Sequence, residues 1–397
     1  MRNVPKLRFK EFTDELREVK FKDFLNERKN IATDNEELYS LTIEKGVTPK
    51  EERYEREFLV NNEKEAYKIV LKNDFVYNPM NIRFGAVAQF IENKNVKVSK
   101  YYNIFYCNNC INSYFFEKFI KTKRMFDLYN KLATGSLNEK KRLHFTDFLE
   151  IKQPFPSLEE QEKIGDFLLN VDKKISITEE KLSLFEEYKK GIMQKIFNQE
   201  LRFKDANGND YPEWEEKKLG ELLEEYNEKT TTNNQYPILS STAGGIYLQS
   251  EYFNKQTASE NNIGYKIIPK GYFTYRSMSD TGNFTFNIQE RINFGIVSPA
   301  YPVFSTKLEK CNKKFLFFYL NNSDFIKEQI LVLKEGGTRY ALSYSKFIKL
   351  FSKLPCLEEQ QKIADFLSSI DTKIEKISDE LENLKEFKKG LLQQMFV

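Results

Sequence analysis

The chain reads LEEQEKIGDFLLNVDKKI from Leu158 to Ile175 and LEEQQKIADFLSSIDTKI from Leu357 to Ile374. The match runs without a gap from Pro156–Phe197 to Pro355–Phe396, a constant shift of 199 residues. It includes Gln161/Gln360, Asp166/Asp365, Asp172/Asp371 and Lys189-Lys190-Gly191/Lys388-Lys389-Gly390. Chance identity does not hold register over such a length, so the chain is built as a tandem. Each copy carries a stripe at alternating steps of four and three, the pattern of a helix that meets a partner helix. In the first copy the apolar members are Ile164, Leu168, Val171, Ile175, Leu182 and Phe185, with Thr178 and Lys189 on the same stripe. In the second they are Ile363, Leu367, Ile370, Ile374, Leu381 and Leu384, with Lys388 in line. At about 1.5 Å per residue either helix reaches roughly 60 Å. Ser157 and Glu160 predict a capping box at the start of the first helix. Cys356 replaces that serine in the second, which predicts a weaker cap.

The segments before the helices also correspond, more faintly. YKIVLKNDFVYNPM (Tyr67–Met80) aligns with YKIIPKGYFTYRSM (Tyr265–Met278), and VSKYYNIF (Val98–Phe105) with VSPAYPVF (Val297–Phe304). TGSLNEKKRLHFTDFLEI (Thr134–Ile151) resembles GGTRYALSYSKFIKL (Gly336–Leu350), and the LRF of Leu7–Phe9 returns at Leu201–Phe203. The organisation is therefore a variable domain at 1–153, a helix at 154–200, a second variable domain at 201–353 and a second helix at 354–397. The variable domains read as α+β, with short aromatic and β-branched strands broken by Gly/Asn turns. Antiparallel pairing of the helices spares the second domain from bridging a whole helix length. It brings the C-terminus back toward the N-terminus and gives a pseudo-two-fold object. Two similar but non-identical domains in such an object suit the two half-sites of a duplex.

This arrangement resembles the specificity subunit of a Type I restriction-modification system. The resemblance covers essentially the whole chain. It rests on the repeated P-x-L-E-E-Q-x-K-I-x-D-F-L helix starts at Pro156 and Pro355, the KKG near each helix end, and the Gly-Ser and Gly-Gly-Thr loops before each proline. It implies two target recognition domains that read a bipartite, asymmetric double-stranded DNA sequence. It implies two long antiparallel coiled-coil helices that act as spacer and as docking site for two methyltransferase subunits, with motor-nuclease subunits joining through the complex. Adenine methylation and ATP-dependent cleavage would then reside in those partners, which would hold S-adenosylmethionine, ATP and Mg; this chain would bind no cofactor and no metal and would not be an enzyme. The competing readings are a stand-alone DNA methyltransferase or nuclease, and a coiled-coil scaffold without DNA binding.

Composition is compatible with that reading and excludes others. Of 397 residues 62 are Lys or Arg and 59 are Asp or Glu, so the net charge of +3 does not by itself mark a nucleic-acid binder. No apolar run approaches the length of about 18 residues that a membrane span needs. The N-terminus lacks a secretory signal, and four cysteines in so long a chain fit a reducing cytoplasm. YNPMN (Tyr77–Asn81) has the start of an amino-methyltransferase loop, but the aligned YRSMS lacks its Asn and Pro, so a strand end and turn is the expected role. CNNC (Cys107, Cys110) is half a zinc site without a second pair, and His144 is the only histidine, which leaves histidine triads unsupported. No phosphate-binding G-x-x-x-x-G-K-[ST] loop occurs.

The candidate DNA contacts are basic and small residues in the variable domains. In the first they are Arg83, the run Lys121, Lys123 and Arg124, Gly135 and Ser136, and the run Lys140, Lys141 and Arg142. In the second they are Ser241, Thr242, Arg276, Gly337, Thr338 and Arg339. Small residues let the backbone approach a phosphate, and arginine can reach either a phosphate or a guanine edge.

Overall fold

The computed structural model describes residues 4–33, 35–50, 67–136, 141–252, 261–332 and 340–396. The chain divides into two compact units, Met1–Glu179 with Asp379–Val397, and Glu180–Ser378. Each unit thus owns one α+β domain, half of the central helix (Leu158–Phe197) and half of the C-terminal helix (Leu357–Met395). Among the described residues no helix is long and apolar enough to cross a membrane.

In the first unit the hub is an antiparallel sheet in the order Leu25–Glu27, Asn103–Cys107, Phe75–Tyr77, Val87–Gln89. In the second the same order recurs as Leu223–Glu225, Val303–Thr306, Phe273–Thr274, Asn287–Ile288. Phe75 stacks on Phe105 at 5.0 Å, and Phe273 stacks on Phe304 at 5.1 Å. The inward residues of short β-strands are thus spent on paired aromatics, which bury large area per residue. A two-stranded ribbon closes each domain just before its helix, Arg17–Lys20 with Lys152–Phe155 and Glu215–Lys218 with Phe351–Leu354. The first unit has a second four-stranded sheet in which Glu37–Thr42 runs parallel to Val96–Ser99, and the second unit holds the counterpart as two ribbons, Leu239–Thr242 with Gly245–Leu248 and Lys266–Pro269 with Phe294–Val297, joined by a parallel bridge from Ile238 to Ile296.

The repeated sequence acquires a physical meaning at the helix starts. Arg8 of the first LRF grips the buried Glu160 carboxylate through two hydrogen bonds at 2.7 and 2.8 Å. Arg202 of the second LRF grips the fully buried Glu359 at 3.2 and 2.8 Å. The next residue ties helix to domain: the Gln161 side-chain carbonyl accepts the Asn112 N–H, and that of Gln360 accepts the Asn312 N–H. Phe9 meets Phe167 edge-on, as Phe203 meets Phe366. The expected capping box is therefore only half formed. Ser157 accepts the Glu160 N–H at 3.4 Å, but the Glu160 carboxylate is taken by Arg8 rather than turned back to the helix start.

Both units pair their helix halves antiparallel. In the first, Asp172 bonds Lys388 and Glu179 bonds Lys385, so numbers rise on one helix as they fall on the other. There Ile164, Leu168, Val171 and Ile175 join a core that also takes Leu391 and Met395, with Leu381 and Leu384 packed against it. In the second, Ile363, Leu367 and Ile370 share a core with Met193, Ile196 and Phe197, with Ile374 at its edge. Lys189 ion-pairs with Asp371, the counterpart of Lys388 with Asp172. The lysines on the stripe are thus matched polar positions, a device that fixes register between helices. Leu182 and Phe185 are half-buried, as are their fellow stripe residues Ile374, Leu381 and Leu384. In the first unit the chain ends meet, with Leu7 N–H donating to the Gln394 carbonyl at 3.0 Å.

Candidate nucleic-acid interface

In the second domain the hairpin Leu239–Thr242/Gly245–Leu248 turns on Thr242, whose hydroxyl donates to the Gly245 carbonyl and accepts the Gly244 N–H. The first domain repeats the device: Thr42 donates to Gly46 and accepts the Lys45 N–H. Ser241 is buried, and its hydroxyl accepts from the Asn287 amide at 2.8 Å. Ser241 and Thr242, expected to offer hydroxyls to DNA, therefore use them to hold the hairpin, as short polar side chains do at turns. Beside them lies an open cleft of about 430 Å³, lined by Ser241, Thr242, Arg276, Asp280, Thr281 and Tyr301. Arg276 is exposed, and among the described residues it has no hydrogen bond or ion pair. One edge of the cleft is strand Met278–Ser279, paired with Tyr340–Ala341. Gly337, Thr338 and Arg339, just ahead of that strand, lie outside the described residues.

The corresponding place in the first domain is held by the same backbone bond. Leu143 N–H donates to the Pro79 carbonyl, as Leu342 N–H donates to that of Ser277. The buried Tyr77 hydroxyl donates to the Leu143 carbonyl. Thr134 and Arg142 exchange backbone hydrogen bonds at 2.9 and 2.8 Å, closing the loop that carries the predicted contacts. Gly135 (φ +148°), Ser136 and Arg142 are exposed and Lys141 is half-buried; Lys140 lies outside the described residues. In YNPM, the Asn78 side chain accepts the Met80 N–H, a turn-forming role. Met80 and Met278, aligned in the sequence, are both exposed, at 36% and 40%.

Arg83 differs from its expected role. It is 6% exposed, donates to Asn130 at 3.3 Å and lies 5.0 Å over the Phe84 ring, so its charge is used inside the domain. Cys107 ends a strand with its thiol pushed up to about 12 by burial, and Cys110 is exposed. His144 stands at the N-cap of the short helix Phe145–Leu149. Among the described residues no group of three or more His, Cys, Asp or Glu is placed to hold a metal.

The run Lys121, Lys123 and Arg124 opens the helix Lys123–Leu132 and meets three lysines outside the sequence-based candidates. Lys385, Lys388 and Lys389 of the C-terminal helix line the same cavity of about 430 Å³ in the first unit. Lys388 and Lys389 are marked in the sequence by the KKG run of the repeat, and Lys388 by the helix stripe, whereas Lys385 has no mark of its own.

The family model for the Type I restriction modification DNA specificity domain matches residues 15–187 and 211–386. The chain is 26% identical over 304 residues to the Type I restriction enzyme MjaVIII specificity subunit of Methanocaldococcus jannaschii, covering 69% of this chain and 67% of that one. It is 26% identical over 352 residues to the putative MjaX specificity subunit of the same organism, covering 84% and 75%. Its fold is that of the Type I restriction-modification S subunit from M. genitalium, with a TM-score of 0.57, 15% identity and 99% of each chain covered. A chain solved in work on complex assembly and conformational transition of the Type I system matches with a TM-score of 0.55 at 14% identity, over 97% of this chain and 98% of that one.

Proposed function

We propose, from the premise that this chain belongs to the family of Type I restriction-modification DNA specificity proteins, that each of its two domains reads one part of a bipartite, asymmetric DNA target. The observation that carries this reading is the contrast inside the tandem. Two domains share one aromatic hub and one helix attachment, yet present different faces. The second offers a polar cleft with an exposed Arg276, suited to hydrogen-bonding base edges. The first offers exposed Gly135, Ser136 and Arg142 and an exposed Met80, suited to phosphate and apolar contact.

The helices serve as spacer and dock two methyltransferase subunits, through which motor-nuclease subunits join. Support comes from Tyr188 and Phe387, which occupy equivalent positions in the repeat and stand 50% and 53% exposed. A half-exposed aromatic outside the core of its own chain is a typical anchor for a partner protein. Duplicated anchors match duplicated partners. Tyr188→Ala and Phe387→Ala should each weaken methyltransferase docking about tenfold and leave the unfolding midpoint unchanged.

Catalysis belongs to the partners in this reading, as do S-adenosylmethionine, ATP and Mg, and the complex works in the cytoplasm. The test is adenine-methylation mapping in cells with and without this gene, beside methyl-transfer assays of the pure chain with S-adenosylmethionine. A two-part methylated sequence that disappears with the gene, and an inactive pure chain, are expected. Methyl transfer by the pure chain would overturn the non-catalytic role.

A further inference from the structure

Six cations line one concavity in the first unit: Lys121, Lys123, Arg124, Lys385, Lys388 and Lys389. Three of them are answered by carboxylates: Lys121 by Glu117 at 2.8 Å, Lys388 by Asp172 at 2.6 Å and Lys385 by Glu179 at 2.7 Å. Lys123, Arg124 and Lys389 have no hydrogen bond or ion pair among the described residues. Like charges gathered in a concave site focus a positive potential and attract an anion.

The matching corner of the second unit is not built this way. Superposing the helix N-caps Thr122 and Ser323 sets Asp324 and Phe325 where Lys123 and Arg124 stand, and the helix repeat sets Glu186 where Lys385 stands. Asp324 is paired with Lys327, and Phe325 lies under Lys353. A partner protein that docks on both units alike is met by repeated features such as Tyr188 and Phe387. The basic cavity is not repeated, so it is separate from whatever docks on both units alike, and its three unpaired cations suit a polyanion, which the duplex of the DNA-recognition reading supplies.

We infer that this cavity is a phosphodiester-binding site, where the C-terminal helix and the first domain together grip the DNA backbone beside the half-site that the first domain reads. The inference rests on the DNA-recognition reading and gives a helix otherwise assigned to spacing and docking a direct share in DNA affinity. Placement agrees. The helix Lys123–Leu132 starts at the cavity and ends just before the Thr134–Arg142 loop. Its ten residues span about 15 Å, which is about four base-pair steps along a strand.

The test uses the full chain assembled with its methyltransferase and a duplex carrying the mapped target. Lys123→Gln with Lys389→Gln removes two cations that hold nothing else, so thermal unfolding serves as the control for folding. The slope of log affinity against log salt should become shallower by about two, near 0.9 for each phosphate left without its cation. The methylated sequence should stay the same. The converse variant, Glu186→Lys with Asp324→Lys, should steepen the slope by building the missing corner. An unchanged slope in both variants overturns the inference. So does weakened methyltransferase assembly with an unchanged slope in the complex that does form, which would mark an acidic protein segment as the occupant. A parent complex that shows no sequence-dependent binding would instead overturn the recognition reading and this site with it.

Discussion

The two units are alike where chain meets chain and unlike where the surface is free. Arg8 with Glu160, Asn112 with Gln161 and Phe9 with Phe167 recur as Arg202 with Glu359, Asn312 with Gln360 and Phe203 with Phe366. Away from these joints the copies diverge. The first hairpin tip is Ile43-Glu44-Lys45 and the second is Ala243-Gly244; Asn78, which accepts the Met80 N–H in a turn, stands where the second domain exposes Arg276; Lys123-Arg124 stands opposite Asp324-Phe325 when the helix starts are matched. Buried joints tolerate little change because a cavity or an unpaired charge there costs stability. Loops on a rigid scaffold change freely and so carry recognition. The tandem thus holds its frame constant and varies what it presents.

The likeness breaks most directly at the helix seam. Leu168 and Leu367 are equivalent and both 0% exposed. Leu168→Asp and Leu367→Asp should each destabilise the chain by about 3 kcal/mol or more, since each buries an unpaired charge. Denaturant unfolding reads this, and tolerance of one but not the other would show that the halves do not share a seam. Next come the joints. Arg8→Ala and Arg202→Ala each strand a buried glutamate, with an expected loss of about 3 kcal/mol in either unit. A large cost at one joint alone would separate them.

The unlikeness has a smaller, chemical signature. Arg276→Ala should relax discrimination at one position of one half-site by about 1–3 kcal/mol if the guanidinium reads a base. Methylation mapping should show that relaxation in the half-site of the second domain only. Unchanged specificity together with an unchanged salt dependence would remove Arg276 from the interface.

The smallest effect contrasts two equivalent ion pairs. Burial pushes the Asp172 carboxyl up, but Lys388, the Tyr114 hydroxyl and Lys118 outweigh it and hold the group below the usual aspartate range. A carboxyl depressed in the folded state contributes stability above its ordinary pKa, and that contribution is lost as pH falls through the folded value. Asp172→Asn should therefore cost about 1 kcal/mol at pH 7. The gap to the parent should close below about pH 4. Asp371, paired among the described residues only with Lys189 and 41% exposed, should lose less than about 0.5 kcal/mol when changed to Asn. Equal costs at both positions would contradict the difference in their surroundings.

The helices are legible in the sequence because repetition and period both survive in a linear string. The hub is partly legible: Phe105 and Phe304 stand at matching positions, and each stacks on a phenylalanine of its own sheet, Phe75 and Phe273. The joints are not, although LRF and LEEQ each appear twice, because the paired residues lie about 150 positions apart and nothing local links them. Burial of Arg83 is invisible for a related reason, since Asn130 reaches it from another helix. Ser241 and Thr242 look like free hydroxyls in the sequence because their partners are a turn carbonyl and a distant amide. The basic cavity is half legible: its first-domain lysines and arginine stand together in the chain, while Lys385, Lys388 and Lys389 arrive from the far end.

The central claim is that each domain specifies one half of the target within a constant frame. Residues 18–150 can be replaced by the matching domain of a relative, and the adenine-methylated sequence mapped in cells that express the chimera. The account predicts a change confined to one half, with the other half and the length of the gap unchanged. A change in both halves, or in the gap with both long helices intact, would contradict it.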